Sequence, residues 1–155
     1  MRISVEVTTR SVLRWLIAAV LVWAALGKLA NLQEFFGALL AYRLPVPASL
    51  LRLVAIVLPW LELLCGLSLA AGLRTRPALG WAAVLFVVFA LCTLQAWWRG
   101  LAIDCGCLDL SVIGVSPGSA AAAGFESVRF AFFRAVALAG AAVFLLCSRP
   151  KTAAP

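Results

Sequence analysis

The chain has 155 residues, of which 65% are hydrophobic and 12% charged, and a mean hydropathy of +1.10, whereas a soluble domain runs at about 45–50% apolar and about 25% charged. This composition excludes an ordinary soluble domain and points to a chain whose solvent is a lipid bilayer. The net charge of +7 comes from Lys and Arg placed singly or in pairs, which excludes a nucleic-acid patch, and the absence of histidine excludes imidazole-ligated haem, His-containing zinc sites and Ser-His-Asp or Cys-His dyads.

A helix needs about 20 mostly apolar residues to cross a bilayer. Four such runs use most of the chain, predicting an all-α membrane protein: one domain, residues 1–155, forming a four-transmembrane-helix bundle. The first span, residues 11–30, carries Arg14 and Lys28 near its ends, where long cationic side chains snorkel toward headgroups. Lys28 stands where a small-residue cleavage site would follow the apolar core of a signal peptide, so the segment reads as a retained span. The second span, residues 50–73, follows the turn Leu44-Pro45-Val46-Pro47 and is interrupted by Glu62. The third, residues 77–98, contains no charge, opens on Pro77 and stops at Arg99. The fourth, residues 127–147, is apolar except for Arg134 and is stopped by Arg149, Pro150 and Lys151. Gly66, Ala70, Ala137 and Ala141 recur at four-residue spacing and offer faces for close helix contact.

Positive charge sets the orientation. The N-terminal end, the connection with Arg74 and Arg76, and the C-terminal end hold seven Lys or Arg residues, against five on the other side. Both termini are therefore expected in the cytoplasm, with residues 31–49 and 99–126 outside. Trp15 and Trp81 then fall at the inner interface and Trp97 and Trp98 at the outer.

The 99–126 connection holds the chemistry. Asp104-Cys105-Gly106-Cys107 places two thiols one glycine apart, and glycine permits the tight backbone that brings sulfurs i and i+2 together. The ring is small and strained, and strained exposed disulfides are the readily exchanged ones. A static crosslink closing so short a loop would remove little chain entropy. Metal binding by the two thiolates with Asp104 and Asp109 is the weakest reading, since structural zinc asks for four ligands, usually Cys or His. Asp104 acts on the thiols either as a like charge or as a proton acceptor, and which sulfur attacks first is left open. Cys65, Cys92 and Cys147 read as small buried hydrophobes.

Glu62 is the ionisable residue inside a span, and such a residue needs a partner. Counting from the outer ends, Glu62 lies roughly 18 Å deep and Arg134 about 12 Å at 1.5 Å per residue. Arg134 is therefore the expected partner and Lys28, nearer the interface, the second choice. Pro59 is expected to kink the second span and free a carbonyl beside these groups. The pair either locks two helices together or serves a polar acceptor or proton pathway.

Gly27-Lys28-Leu29, Pro59-Trp60-x-Glu62 followed by Gly66, Arg99-Gly100, Asp104-Cys105-Gly106-Cys107 and Arg134 together resemble the MauE/DoxX-like membrane proteins, best the methylamine-utilisation MauE branch. The chain departs from the family's usual Cys-Phe-Gly continuation, since Leu108-Asp109 follow Cys107. The resemblance implies a multi-pass protein of the bacterial cytoplasmic (inner) membrane, working with a periplasmic thioredoxin-like protein in maturing an exported redox enzyme such as methylamine dehydrogenase. Quinone is the expected electron acceptor by analogy with other disulfide-generating four-helix membrane proteins; no haem or metal is expected. A non-enzymatic assembly scaffold with a structural disulfide is the alternative, and soft-metal transport through Glu62, Cys65, Cys92 and the loop pair ranks last.

Overall fold

A computed structural model describes residues 2–101 and 127–148, with the backbone alone for residues 2–7. The described residues form five helices and no strand: α1 Arg2–Ala30, α2 Leu32–Ala41, α3 Ala48–Ala70, α4 Thr75–Trp98 and α5 Val128–Cys147. Four stretches, Thr8–Ala30, Ala48–Ala70, Thr75–Trp98 and Val128–Cys147, are long and apolar enough to cross a membrane. The four-span reading therefore stands, with shifted ends and one helix more.

Local chemistry explains the ends. α3 stops at Ala70 rather than residue 73 because Gly72 takes the left-handed conformation, φ 70°. That lets Leu73 N–H reach Ser68 O (3.0 Å) and Gly72 N–H reach Leu69 O (3.3 Å), satisfying two carbonyls that the helix end would leave bare. Gly100, φ 64°, ends α4 the same way, with Leu101 N–H on Ala96 O and Gly100 N–H on Trp97 O, both at 3.0 Å. At the start of α5 the Ser127 hydroxyl accepts from Phe130 N–H at 3.4 Å. α3 runs unbroken through Pro59, whose missing N–H leaves the Ala55 carbonyl without its helical donor.

The bundle is two helix pairs. α1 packs along α3 and α4 along α5, while α1 meets α5 over a much smaller area. The first pair closes at Gly66: a Cβ there would lie 2.8 Å from Val22 Cγ2 and 3.2 Å from both Ala18 O and Leu21 Cβ. Both helices of the second pair carry buried alanines, Ala82, Ala83, Ala90 and Ala96 on α4 and Ala131, Ala135, Ala139 and Ala142 on α5. The small-residue face of the fourth span thus differs from the one expected, for Ala137 is exposed and Ala141 half-buried. Around the perimeter, exposed Leu, Val and Trp residues, including Trp15, Trp60, Trp81 and Trp98, give the apolar exterior that a bilayer requires.

Gly66 sets how closely α1 and α3 approach. Gly66→Leu is expected to destabilise the folded state by about 2 kcal/mol or more, because the side chain drives into backbone as well as Val22, and Gly66→Ala by less, since Val22 can turn away. Thermal unfolding in detergent, followed by α-helical circular dichroism, measures both. A Leu variant as stable as the parent would mean that the contact is not tight.

Candidate functional site

Register along α1 and α3 decides which charges meet. With Gly66 seated against Ala18, Leu21 and Val22, moving one turn back along α3 and toward the C-terminal end of antiparallel α1 brings Glu62 beside Lys28. Lys28 Nζ donates to both carboxylate oxygens of Glu62 at 2.6 Å. Both residues are buried, at 5% and 8% exposure.

The partner of Glu62 is therefore Lys28 and not Arg134. The depth count assumed that every span ends in one plane. Beyond this pair α3 continues for 14 residues to Ala48, but α1 continues for only two to Ala30, a difference of about 18 Å at 1.5 Å per residue. α1 stops short, and α2 packs against α3 in the space it leaves. α2 comes from the apolar run LQEFFGALLA, too short to span a bilayer and hence taken as connection. Its buried Phe35 turns its ring to Lys28 Nζ, 5.4 Å from the centroid, while Phe36 lies 5.6 Å from the Arg52 guanidinium. The ammonium is thus held by a carboxylate and a ring face. The signal for this contact, two phenylalanines amid an apolar decapeptide, was present in the sequence.

Arg134 joins the site across the seam between the two helix pairs. A cavity of about 40 Å³ is lined by Ala24 and Lys28 of α1, Glu62 of α3, Phe86 and Phe89 of α4, and Arg134 of α5, among others. Arg134 lies 6.0 Å from the Phe130 ring centroid, and its Nη1 is buried with no hydrogen-bond partner. All three intramembrane residues singled out in the sequence therefore line one cavity, with a different pairing.

The remaining thiols separate by environment. Cys65 lies in the core cluster with Ile17, Leu21, Leu69, Phe86 and Leu138. Cys92 is half-buried against the cluster of Tyr42, Ala96 and Val128. Cys147 is exposed, contrary to the expectation of burial, because α5 turns that face away from the bundle. Leu101 and Val128, the residues flanking the long connection, share one cluster with Tyr42 and Ala96. Asp104, Cys105 and Cys107 lie outside the described residues.

Four long apolar helices with a buried ion pair and a third, half-buried charge beside it define a polytopic helical membrane protein. The chain belongs to the MauE family: residues 6–148 match the family model of methylamine utilisation protein MauE. It is 35% identical over 134 residues to "Methylamine utilization protein MauE" of Methylophilus methylotrophus, covering 83% of this chain and 63% of that one. It is 41% identical over 97 residues to the protein of the same name from Paracoccus denitrificans, covering 61% and 51%. A third of that name, from Methylorubrum extorquens, is 35% identical over 108 residues, covering 69% and 58%. The aligned region thus spans only half to about three-fifths of the length of these relatives. No solved structure matches the chain.

Proposed function

We propose that this protein is a thiol:disulfide redox protein of the bacterial cytoplasmic membrane, serving a periplasmic thioredoxin-like partner. The Cys105–Cys107 disulfide accepts two electrons from the partner's dithiol through a mixed disulfide, leaving the partner oxidised and Cys105 and Cys107 as thiols. A lipid-soluble quinone then takes two electrons and two protons from those thiols, becoming the quinol and restoring the disulfide. Asp104, beside Cys105, is a proton acceptor in that exchange. The observation that carries this reading is a Cys-Gly-Cys pair in the connection between two spans. Its support is the meeting of that connection's flanks, Leu101 and Val128, in one cluster with Tyr42 and Ala96. The names of the relatives connect those proteins with methylamine utilisation, and by similarity we assign this chain to maturation of an exported enzyme of that use, such as methylamine dehydrogenase.

The deciding experiment combines the purified protein with a reduced thioredoxin-like partner and a ubiquinone or menaquinone analogue and follows quinol formation. Wild-type protein is expected to reduce quinone in proportion to partner thiol consumed, and Cys105→Ser to abolish it. Full partner maturation by a Cys105→Ser, Cys107→Ser double variant would leave the scaffold reading in its place.

Orientation has its own test. With both termini in the cytoplasm, a cysteine introduced at Ser119 into a variant lacking native thiols is expected to react with membrane-impermeant maleimide on intact spheroplasts. Labelling only after lysis would reverse the topology and remove the thiols from the oxidising side.

A further inference from the structure

We infer that the cavity between the two helix pairs is a binding site for a small monoanion of the halide class. The argument starts from charge. Lys28 and Glu62 neutralise each other through two hydrogen bonds of 2.6 Å, so the excess positive charge facing the cavity belongs to Arg134. Arg134 has no carboxylate partner among the described residues, and its Nη1 is buried without an acceptor. A donor left unpaired away from water is costly, and a cation is more so inside a span. An acceptor carrying one negative charge satisfies both.

Size and lining narrow the class. The cavity holds about 40 Å³, where one water needs on the order of 10–15 Å³. That is room for an ion of chloride size together with a water or two beside it. Phe86 and Phe89 from α4 form part of the wall, and aromatic ring edges carry partial positive charge that suits a soft anion. Arg134 supplies the hydrogen bond, while Glu62 repels the anion and keeps it on the Arg134 side. This assignment is independent of the thiol chemistry proposed above.

The sign of that repulsion makes the test specific. Purified protein is unfolded thermally in sodium chloride, bromide or gluconate at constant ionic strength. Chloride and bromide are expected to raise the midpoint by about 3 °C per tenfold concentration above half saturation, whereas gluconate, far larger than a halide, is not. Broadening of the ³⁵Cl resonance, competed by bromide, reads the same site directly. Arg134→Gln is expected to abolish both effects, and Glu62→Gln to tighten binding about tenfold or more. Should Arg134→Gln fail to fold, Ala24→Met fills the cavity without altering charge and is expected to remove the halide effect. Equal midpoints in the three salts, or a halide effect that survives Arg134→Gln or Ala24→Met, would overturn the assignment.

Discussion

Glu62→Leu is expected to reduce folded protein in the membrane at least tenfold, and Lys28→Met, Glu62→Leu together to restore most of it. Each single substitution strands one charge of a buried, doubly hydrogen-bonded pair, a change that costs about 3–5 kcal/mol, whereas removing both partners is often close to neutral. Neutralisation sets a ceiling on the loss: at pH 7, protonating an ordinary carboxylic acid costs about 4 kcal/mol and deprotonating a primary ammonium about 5 kcal/mol. Lys28→Met is expected to be the milder single change. It leaves Glu62 in a cavity that Arg134 also lines, so a second cation is at hand. Arg134→Ala, which leaves the Lys28–Glu62 pair intact, is expected to lower protein level less than either. Quantifying detergent-extracted monodisperse protein, with unfolding midpoints for whatever survives, measures the cycle. Losses that simply add in the double variant would mean that the two charges do not act as a unit.

The second large effect belongs to the thiols. On the proposed mechanism, Cys105→Ser and Cys107→Ser are each expected to lower quinone-linked oxidation of the partner at least a hundredfold, because neither variant can form the Cys105–Cys107 disulfide that would accept two electrons. Their failures differ in kind. Offered the partner in its disulfide form, the variant that retains the attacking sulfur opens that disulfide to give a mixed disulfide and a free partner thiol, and has no second thiol of its own to carry the exchange to completion. Acid quenching, alkylation and non-reducing electrophoresis reveal that adduct in one variant and not in the other, which assigns the attacking residue. In wild-type protein the same alkylation is expected to modify neither or both of these two thiols. A disulfide that survives excess dithiothreitol under native conditions would make the pair a static crosslink.

The existence and number of spans were legible because hydropathy over 20 residues is additive and needs no knowledge of neighbours. Lys28, Glu62 and Arg134 were legible as polar residues in apolar runs for the same reason. Their pairing was not, because it depends on the register between two helices. Register is set by the contact of one glycine, Gly66, with Ala18, Leu21 and Val22, and depth counted from each span's end is blind to it. α2 escaped notice because a mostly apolar run of ten residues falls below the length of a span and above that of a turn, and only burial of Phe35 beside Lys28 gives it a place. The Gly72 and Gly100 stops lay in the sequence as glycines just past apolar runs. Charged residues beyond them drew the predicted boundary of the second span three residues too far.

Division of the bundle into an α1–α3 pair and an α4–α5 pair bears on how the chain enters the membrane. Synthesis delivers the N-terminal half first, and that half contains a lysine and a glutamate, each costly at the centre of an isolated helix, by about 2.5–3.5 kcal/mol for Asp, Lys or Arg on insertion scales. Because the partners lie 34 positions apart and both in the first half of the chain, each charge can meet its counterion without waiting for α4 and α5 to enter the bundle. The two deepest charges of the first two spans thus neutralise each other at the point of insertion, and a membrane insertase receives one paired unit in place of two marginal helices.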